Sequence, residues 1–283
     1  MISGLFHPGC TVSNLEQALA FFGQTLGVEH VRGQVSDQPY LALVTGLPGC
    51  RLKLGFARAE GDSTAFELIE CVHPPAYLSG TGFGIVGSAH TCWQVDSLDR
   101  LADRLAGSGV AWRAAPQALG AGPWAAARGA FLADADGFPI ELIELPDAGG
   151  QTGRLLGVHH FGMTVSDIPA MLEFLCGVLG LSEVSRYASD GAYLRHAAGL
   201  DEARMQAAVV AIPGSPVCIE LWQFEHPAGP PARVGTNAIA SGHICFYVTD
   251  ILATHRALSE AGVRFAGPPA EVTAGVNKGA YAI

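Results

Sequence analysis

An internal repeat constrains this 283-residue chain more than any other feature. Compared with itself at a spacing of 153 positions, the sequence pairs Gly4 with Gly157, His7 with His160, Thr11 with Thr164, Phe21 with Phe174, Leu26-Gly27 with Leu179-Gly180 and Tyr40-Leu41 with Tyr193-Leu194. The register continues without a gap through Gly46/Gly199, Arg51/Arg204, Glu67/Glu220, His73-Pro74/His226-Pro227, His90/His243, Cys92/Cys245, Gly109/Gly262 and Pro116/Pro269. A fixed spacing held over that length marks a tandem duplication. The halves, 1–147 and 154–283, join through a Gly-rich polar stretch from Asp147 to Arg154 with the composition of a linker.

Each half divides again. HPGCTVSNLEQALAFF and HTCWQVDSLDRLADRL both read as strand, cap and helix, and both quarters close on ELIE, at Glu67 and Glu141. In the first quarter Leu15, Leu19, Phe22 and Leu26 recur at helical spacing behind the cap candidates Ser13 and Asn14, and Gly27 ends the helix. Leu98, Leu101 and Leu105 repeat the pattern, and short β-rich runs follow, with Asp136-Gly137 as a hairpin turn. The order β, α, β, β, β predicts an α+β protein of four βαβββ modules in two tandem domains, its strands curling around a cleft.

Composition narrows the function. With 49% hydrophobic and 15% charged residues the chain can bury a core, which excludes disorder. A formal net charge of −10, with no Lys/Arg cluster, argues against nucleic acid, anionic membrane surfaces and large polyanionic substrates. The opening MISGLFHPGC lacks the charge and apolar run of a signal, and later apolar stretches are broken by Gly, Pro or charge, so a cytoplasmic protein is expected. Seven Cys without a CxxC pair, mostly within apolar strands, predict reduced thiols rather than a disulfide framework.

Alternation along a strand puts His7, Gly9 and Thr11 on one face, and His160, Gly162 and Thr164 on the duplicate face. A large imidazole beside a bare glycine suggests a cavity. Glu67 and Glu141 lie opposite the apolar residues that pack under helices, so one carboxylate and one imidazole per quarter look into that space. Two facing quarters would supply His7, Glu67, His90 and Glu141, a set suited to Fe, Mn, Co, Ni or Zn. A buried Glu without a partner is costly, which favours a metal or a proton-transfer role. Cys92 and Cys245 follow candidate ligands by two residues and are expected on the cavity floor. Trp124, in ALGAGPW, is placed to close over a ligand, and Tyr281 and Lys278 near the mouth of the second cavity. Arg51/Arg204 and Tyr40/Tyr193 suit either substrate contact or ordinary packing. His159 should point away from His160, and His73-Pro74 reads as a turn. GTGFGIVG precedes a strand instead of opening a helix, so it is no nucleotide loop.

These residues, with the LG pairs of TLGVE and VLGLS and the closing DADGFPIELIE, resemble the vicinal oxygen chelate superfamily of glyoxalases, extradiol dioxygenases and bleomycin-resistance proteins. The resemblance implies metal positions at His7, Glu67, His90 and Glu141 in the first half and His160, Glu220 and His243 in the second, one divalent metal per competent domain. It implies Glu141 or Glu67 as the proton carrier in isomerase or lyase chemistry on a small 1,2-dioxygenated substrate. Thr11, Cys92, Trp124, Thr164, Cys245 and Tyr281 would line the substrate space. An Fe(II) extradiol dioxygenase and a metal-free binding protein are the alternatives, and monomer and homodimer both stay open. The counterpart of Glu141 would fall at position 294, beyond Ile283, so a further closing strand is expected past the given sequence.

Overall fold

The computed structural model describes residues 2–78, 84–226, 235–275 and 277–283. The first module comprises β1 (Ile2–Val12), α1 (Leu15–Ala20, continuing as a wider π turn over Phe21–Thr25), β2 (Glu29–Ser36), α2 (Tyr40–Thr45), β3 (Arg51–Arg58) and β4 (Phe66–His73), with a short β5 (Tyr77–Leu78) after it. The second runs β6 (Ala89–Val95), α3 (Leu98–Leu105), β7 (Trp112–Ala118), β8 (Arg128–Ala133) and β9 (Pro139–Glu144). The third runs β10 (Leu155–Thr164), α4 (Ile168–Leu172, extended by a π turn over Glu173–Val178), β11 (Ser182–Ser189), α5 (Ala192–Ala198), β12 (Arg204–Ala211) and β13 (Cys218–His226). After β14 (Ala238–Ile239) the fourth contributes β15 (Gly242–Val248), α6 (Ile251–Glu260), β16 (Ala270–Glu271) and β17 (Tyr281–Ala282). The architecture is α+β, as expected, but the odd modules carry an extra helix between their second and third strands. Gly46 (φ 69°) and Gly199 (φ 68°) end α2 and α5 in the left-handed conformation that costs glycine little.

Two sheets carry the fold, and each is drawn from both halves of the chain. The larger has the order β11-β12-β13-β10-β6-β9-β8-β7, and the smaller β15-β1-β4-β3-β2. The second module therefore joins the third, through antiparallel β6 and β10, and the first joins the fourth, through β1 and β15. β16 and β17 form a separate hairpin.

The ELIE repeat has a physical explanation in two parts. Its second carboxylate faces a helix start: Glu70 Oε2 accepts from Leu15 N at 2.8 Å and Glu144 Oε2 from Leu98 N at 2.8 Å. Gln223 Oε1 does the same for Ile168 N, at 2.8 Å, in the third module. Each closing strand thus satisfies an amide that the helix itself leaves unpaired, while Asn14, Ser97 and Asp167 cap the following turn. Leu98, Leu101 and Leu105 then lie fully inside, at about 1.5–3 kcal/mol for each buried side chain. They join one core that includes Phe22, Phe66, Trp93 and Phe138.

The junction between the halves is tethered. Asp96 accepts from Thr152 Oγ1 at 2.6 Å and Arg154 N at 2.8 Å, and its carbonyl accepts from Gly150 N. A Cβ on Gly150 would lie 2.2 Å from that of Asp96, so its glycine serves close approach. The His73-Pro74 peptide is cis, in the turn after β4. In its repeat His226 ends β13, whereas Pro227 and the first part of GTGFGIVG lie outside the described residues. Among the described residues no helix is long and apolar enough to cross a membrane, and the seven cysteines are free thiols.

Candidate metal centre and ligand pocket

Strand pairing decides which candidate ligands meet. In the larger sheet Gly162 of β10 lies opposite His90 of β6 and opposite Glu220 of β13, while Cys92 lies opposite both His160 and Glu141. Four donors converge as a result: His90, Glu141, His160 and Glu220, their ligand atoms within 4.8 Å of one another. The expected grouping of His7, Glu67, His90 and Glu141 is corrected here, because the modules that face one another come from different halves. His7 and Glu67 meet His243 instead.

The bare glycine has a different meaning from the cavity expected of it. A Cβ on Gly162 would fall 1.8 Å from Cε1 of His90, and one on Gly9 would fall 2.5 Å from Cε1 of His243. Each glycine is the seat of an imidazole from the partner module.

Within the quartet, His160 Nε2 lies 3.0 Å from Glu141 Oε2 and 3.2 Å from Glu220 Oε2. His90 Nε2 lies 3.6 and 3.7 Å from the same two oxygens. All four residues are buried, and His90 Nε2, His160 Nε2 and Glu141 Oε2 have no hydrogen-bond partner. Buried polar atoms are ordinarily satisfied. Metal–ligand bonds of about 2.0–2.2 Å place neighbouring donors roughly 3.0–3.5 Å apart, close to the spacing found. The residues present fit a divalent cation.

The outer atoms of Glu141, Glu220 and His160 are occupied. Tyr193 Oη donates to Glu141 Oε1 at 2.7 Å, and the Tyr187 hydroxyl donates to Glu220 Oε1. His159 Nδ1 meets His160 Nδ1 at 2.9 Å. Such contacts fix the orientation of ligating groups. The irregular register between Val158 and His160 interrupts strict alternation, which accounts for His159 packing beside His160 rather than on the opposite face. Burial pushes the His159 pKa down to about 4, which keeps this ring neutral.

Electrostatics reflect the crowding. Burial works against an ionised Glu141, but the imidazoles of His160 and His90 outweigh it and hold the carboxyl far below the usual range. Burial likewise opposes charge on His160, and Cys92, Glu220 and Glu141 reverse the balance, raising its pKa well above the ordinary value. Burial, then the carboxylates, keep both tyrosines protonated and able to donate.

The second cluster is thinner. His243 Nε2 is 3.1 Å from Glu67 Oε2 in a hydrogen bond, and His7 Nδ1 stands 3.9 Å from that oxygen without a partner of its own. Burial drives His7 down to about 4, and Glu67 is held low, against its burial, by His243 and His7. The side chain of His243 is 32% exposed, so this group is also wetter.

The remaining candidates divide. Cys92 groups with His159 and His160 at the base of the quartet, and Cys245 lies opposite His7 in the smaller sheet. Trp124 lies over the quartet, stacked on His160 with ring centroids 5.0 Å apart and planes at 4°. Thr11 and Thr164 are not brought in as ligand contacts: the first donates to Thr236 O, and the second meets Ser88 Oγ at 3.2 Å. Tyr281 sits half-exposed on the β16–β17 hairpin opposite Glu271. Trp222, packed on His90 at 4.5 Å, and Tyr187 were not singled out by the sequence. The only signal for Tyr187 is alternation in SEVSRYAS, which does not say which face is inward.

Family comparison agrees with this layout. Two models of the Glyoxalase/Bleomycin resistance protein/Dioxygenase superfamily match in tandem, one over residues 6–128 and one over 157–281. The chain belongs to that superfamily, as a two-domain member of the vicinal oxygen chelate type. Among solved structures, glyoxalase I from Zea mays is similar over 95% of this chain and 83% of its own, with 18% identity and a TM-score of 0.59. A variant of that enzyme gives 19% identity and a TM-score of 0.62, with the same coverage. A putative dioxygenase from Bacillus subtilis covers 92% of this chain and 76% of its own, with 16% identity and a TM-score of 0.59. No curated protein matches.

Proposed function

We propose that the chain is a divalent-metal-dependent enzyme of the glyoxalase or epimerase type, with His90, Glu141, His160 and Glu220 as the metal ligands. The observation that carries this reading is a buried set of two imidazoles and two carboxylates in which His90 Nε2, His160 Nε2 and Glu141 Oε2 are unpaired, while Tyr187, Tyr193 and His159 hold the outward atoms of Glu220, Glu141 and His160. A bound divalent ion supplies Lewis acidity toward the two adjacent oxygens of a substrate and lowers the pKa of the neighbouring C–H.

The protein groups then do the rest. Glu141 Oε2 takes the proton from the carbon beside the carbonyl, and Glu141 or Glu220 returns it, to the adjacent carbon in an isomerisation or to the opposite face of the same carbon in an epimerisation. The hydroxyls on the outer oxygens keep both carboxylates aimed inward while their charge changes. Trp222 covers the His90 imidazole, and Trp124 shields that of His160 from water until a ligand enters. Glu67, expected to share the proton role with Glu141, lies in the other cluster and is assigned none.

A second reading, an extradiol-type dioxygenase, draws on the two His plus one Glu contained in the same quartet, a ligand set suited to Fe(II). Elemental analysis of anaerobically purified protein tests both. One divalent metal per chain, lost in His160→Ala and kept in His7→Ala, is the expected outcome. Ni, Co, Zn or Mn with α-proton exchange into deuterated water supports the isomerase reading, and Fe(II) with oxygen uptake on a catechol supports the second. Metal-free protein after reconstitution refutes both.

A further inference from the structure

The quartet opens into a pocket whose walls are aromatic and aliphatic. Trp124, Trp222, Tyr193, Leu194, Met205 and Ile143 face it, and Ser189 is its one aliphatic hydroxyl. Among the described residues no Lys or Arg lines it, and the acidic groups that do are Glu141 and Glu220. A divalent cation balances those two carboxylates, so the described lining offers no positive charge to an anionic substituent. An ion placed against such walls would lose its water without gaining a partner. A planar apolar group loses little on entering and gains ring contacts.

Size gives a second constraint. The free space is about 30 Å³, room for a few waters at most and too little for an aromatic ring. Any ring must therefore take the place of an existing one, and the indole of Trp124, stacked flat on His160 from the β7–β8 connection, is partly exposed. A flat ligand can replace it over the same imidazole.

We infer that the quartet pocket takes an uncharged ligand bearing one aromatic ring next to its pair of vicinal oxygens, and rejects anionic conjugates, including acidic peptide thiol adducts. The inference rests on the metal-centre reading above and goes further by fixing the ligand class.

The test uses metal-loaded protein, its metal content measured first, titrated with three probes that share one hydroxyketone head. These are 2-hydroxyacetophenone, its para-carboxylate, and hydroxyacetone. The expected result is binding of the first with a change in tryptophan fluorescence that Trp124→Phe reduces, and at least tenfold weaker binding of the other two. Ser189→Arg adds a cation at the pocket wall and should restore the para-carboxylate to within a few-fold of the neutral probe. Equal or tighter binding of the carboxylate to the unmodified protein, or no binding of the neutral aromatic probe, overturns the inference. Loss of metal with retained aromatic preference would instead refute the metal-centre reading and leave the ligand class standing.

Discussion

Gly162→Ala tests the proposal that a glycine seats the quartet's second imidazole. The added Cβ would lie 1.8, 2.2 and 2.3 Å from Cε1, Nε2 and Nδ1 of His90. The ring must retreat by roughly 1.7 Å to regain the ~3.5 Å separation of carbon contacts. Its retreat is hindered by Trp222, packed against the ring at 4.5 Å, and by Phe131, which meets it edge-on at 5.6 Å. Overpacking of this kind costs about 1–3 kcal/mol. The expected stability loss is of that size, read by urea unfolding of metal-free protein. Displacing a ligand by more than an ångström should lower metal affinity by at least about 100-fold, measured by competition with a chromophoric chelator. Gly177→Ala is the control, since its Cβ would meet only the Glu173 side chain, at 3.9 Å. Wild-type metal affinity in Gly162→Ala would refute the placement of His90 in the centre.

Two further outcomes follow from the same geometry. Tyr193→Phe keeps the ring but removes the donor to Glu141 Oε1, and metal affinity should fall about 10- to 100-fold with the fold intact; unchanged affinity in the chelator competition would leave Tyr193 a packing residue. Asp134 lies away from the quartet, and burial pushes its carboxyl up to about 6 although the Phe138 and Asp136 amides donate to it. Folded protein therefore keeps a proton that the unfolded chain loses near pH 4, and stability declines as pH rises from about 4 to 6. Asp134→Asn removes that decline and gains up to about 3 kcal/mol at pH 7 relative to wild type. Parallel urea-unfolding profiles across pH 4–7 would contradict it.

The elements legible in the sequence were those set locally. Asn14 is the cap and Gly27 the terminator that the helical spacing of Leu15 and Phe22 requires, and Glu67, Glu141 and Glu220 stand on their strands at the positions implied by alternation. The pairing of modules was not legible for a physical reason. β1 and β10 are copies of one strand, as are β6 and β15, so their edges offer the same hydrogen bonds and no residue marks one partner over the other. The helices α2 and α5 were hidden by their length, under two turns before Gly46 and Gly199 and so too short for a repeating pattern. His159 escaped because an irregular strand register leaves no compositional trace.

Interleaving the halves also has a consequence during synthesis. β1 is made first, yet its outer neighbour β15 begins only at Gly242. At about 5–20 residues per second the nascent chain waits on the order of 10 to 50 s with that flank of β1 bare. Over this interval the half-made protein presents an unpaired β edge to its neighbours on the polysome. A chaperone, or a second nascent copy, would meet this strand before the chain's own fourth module does.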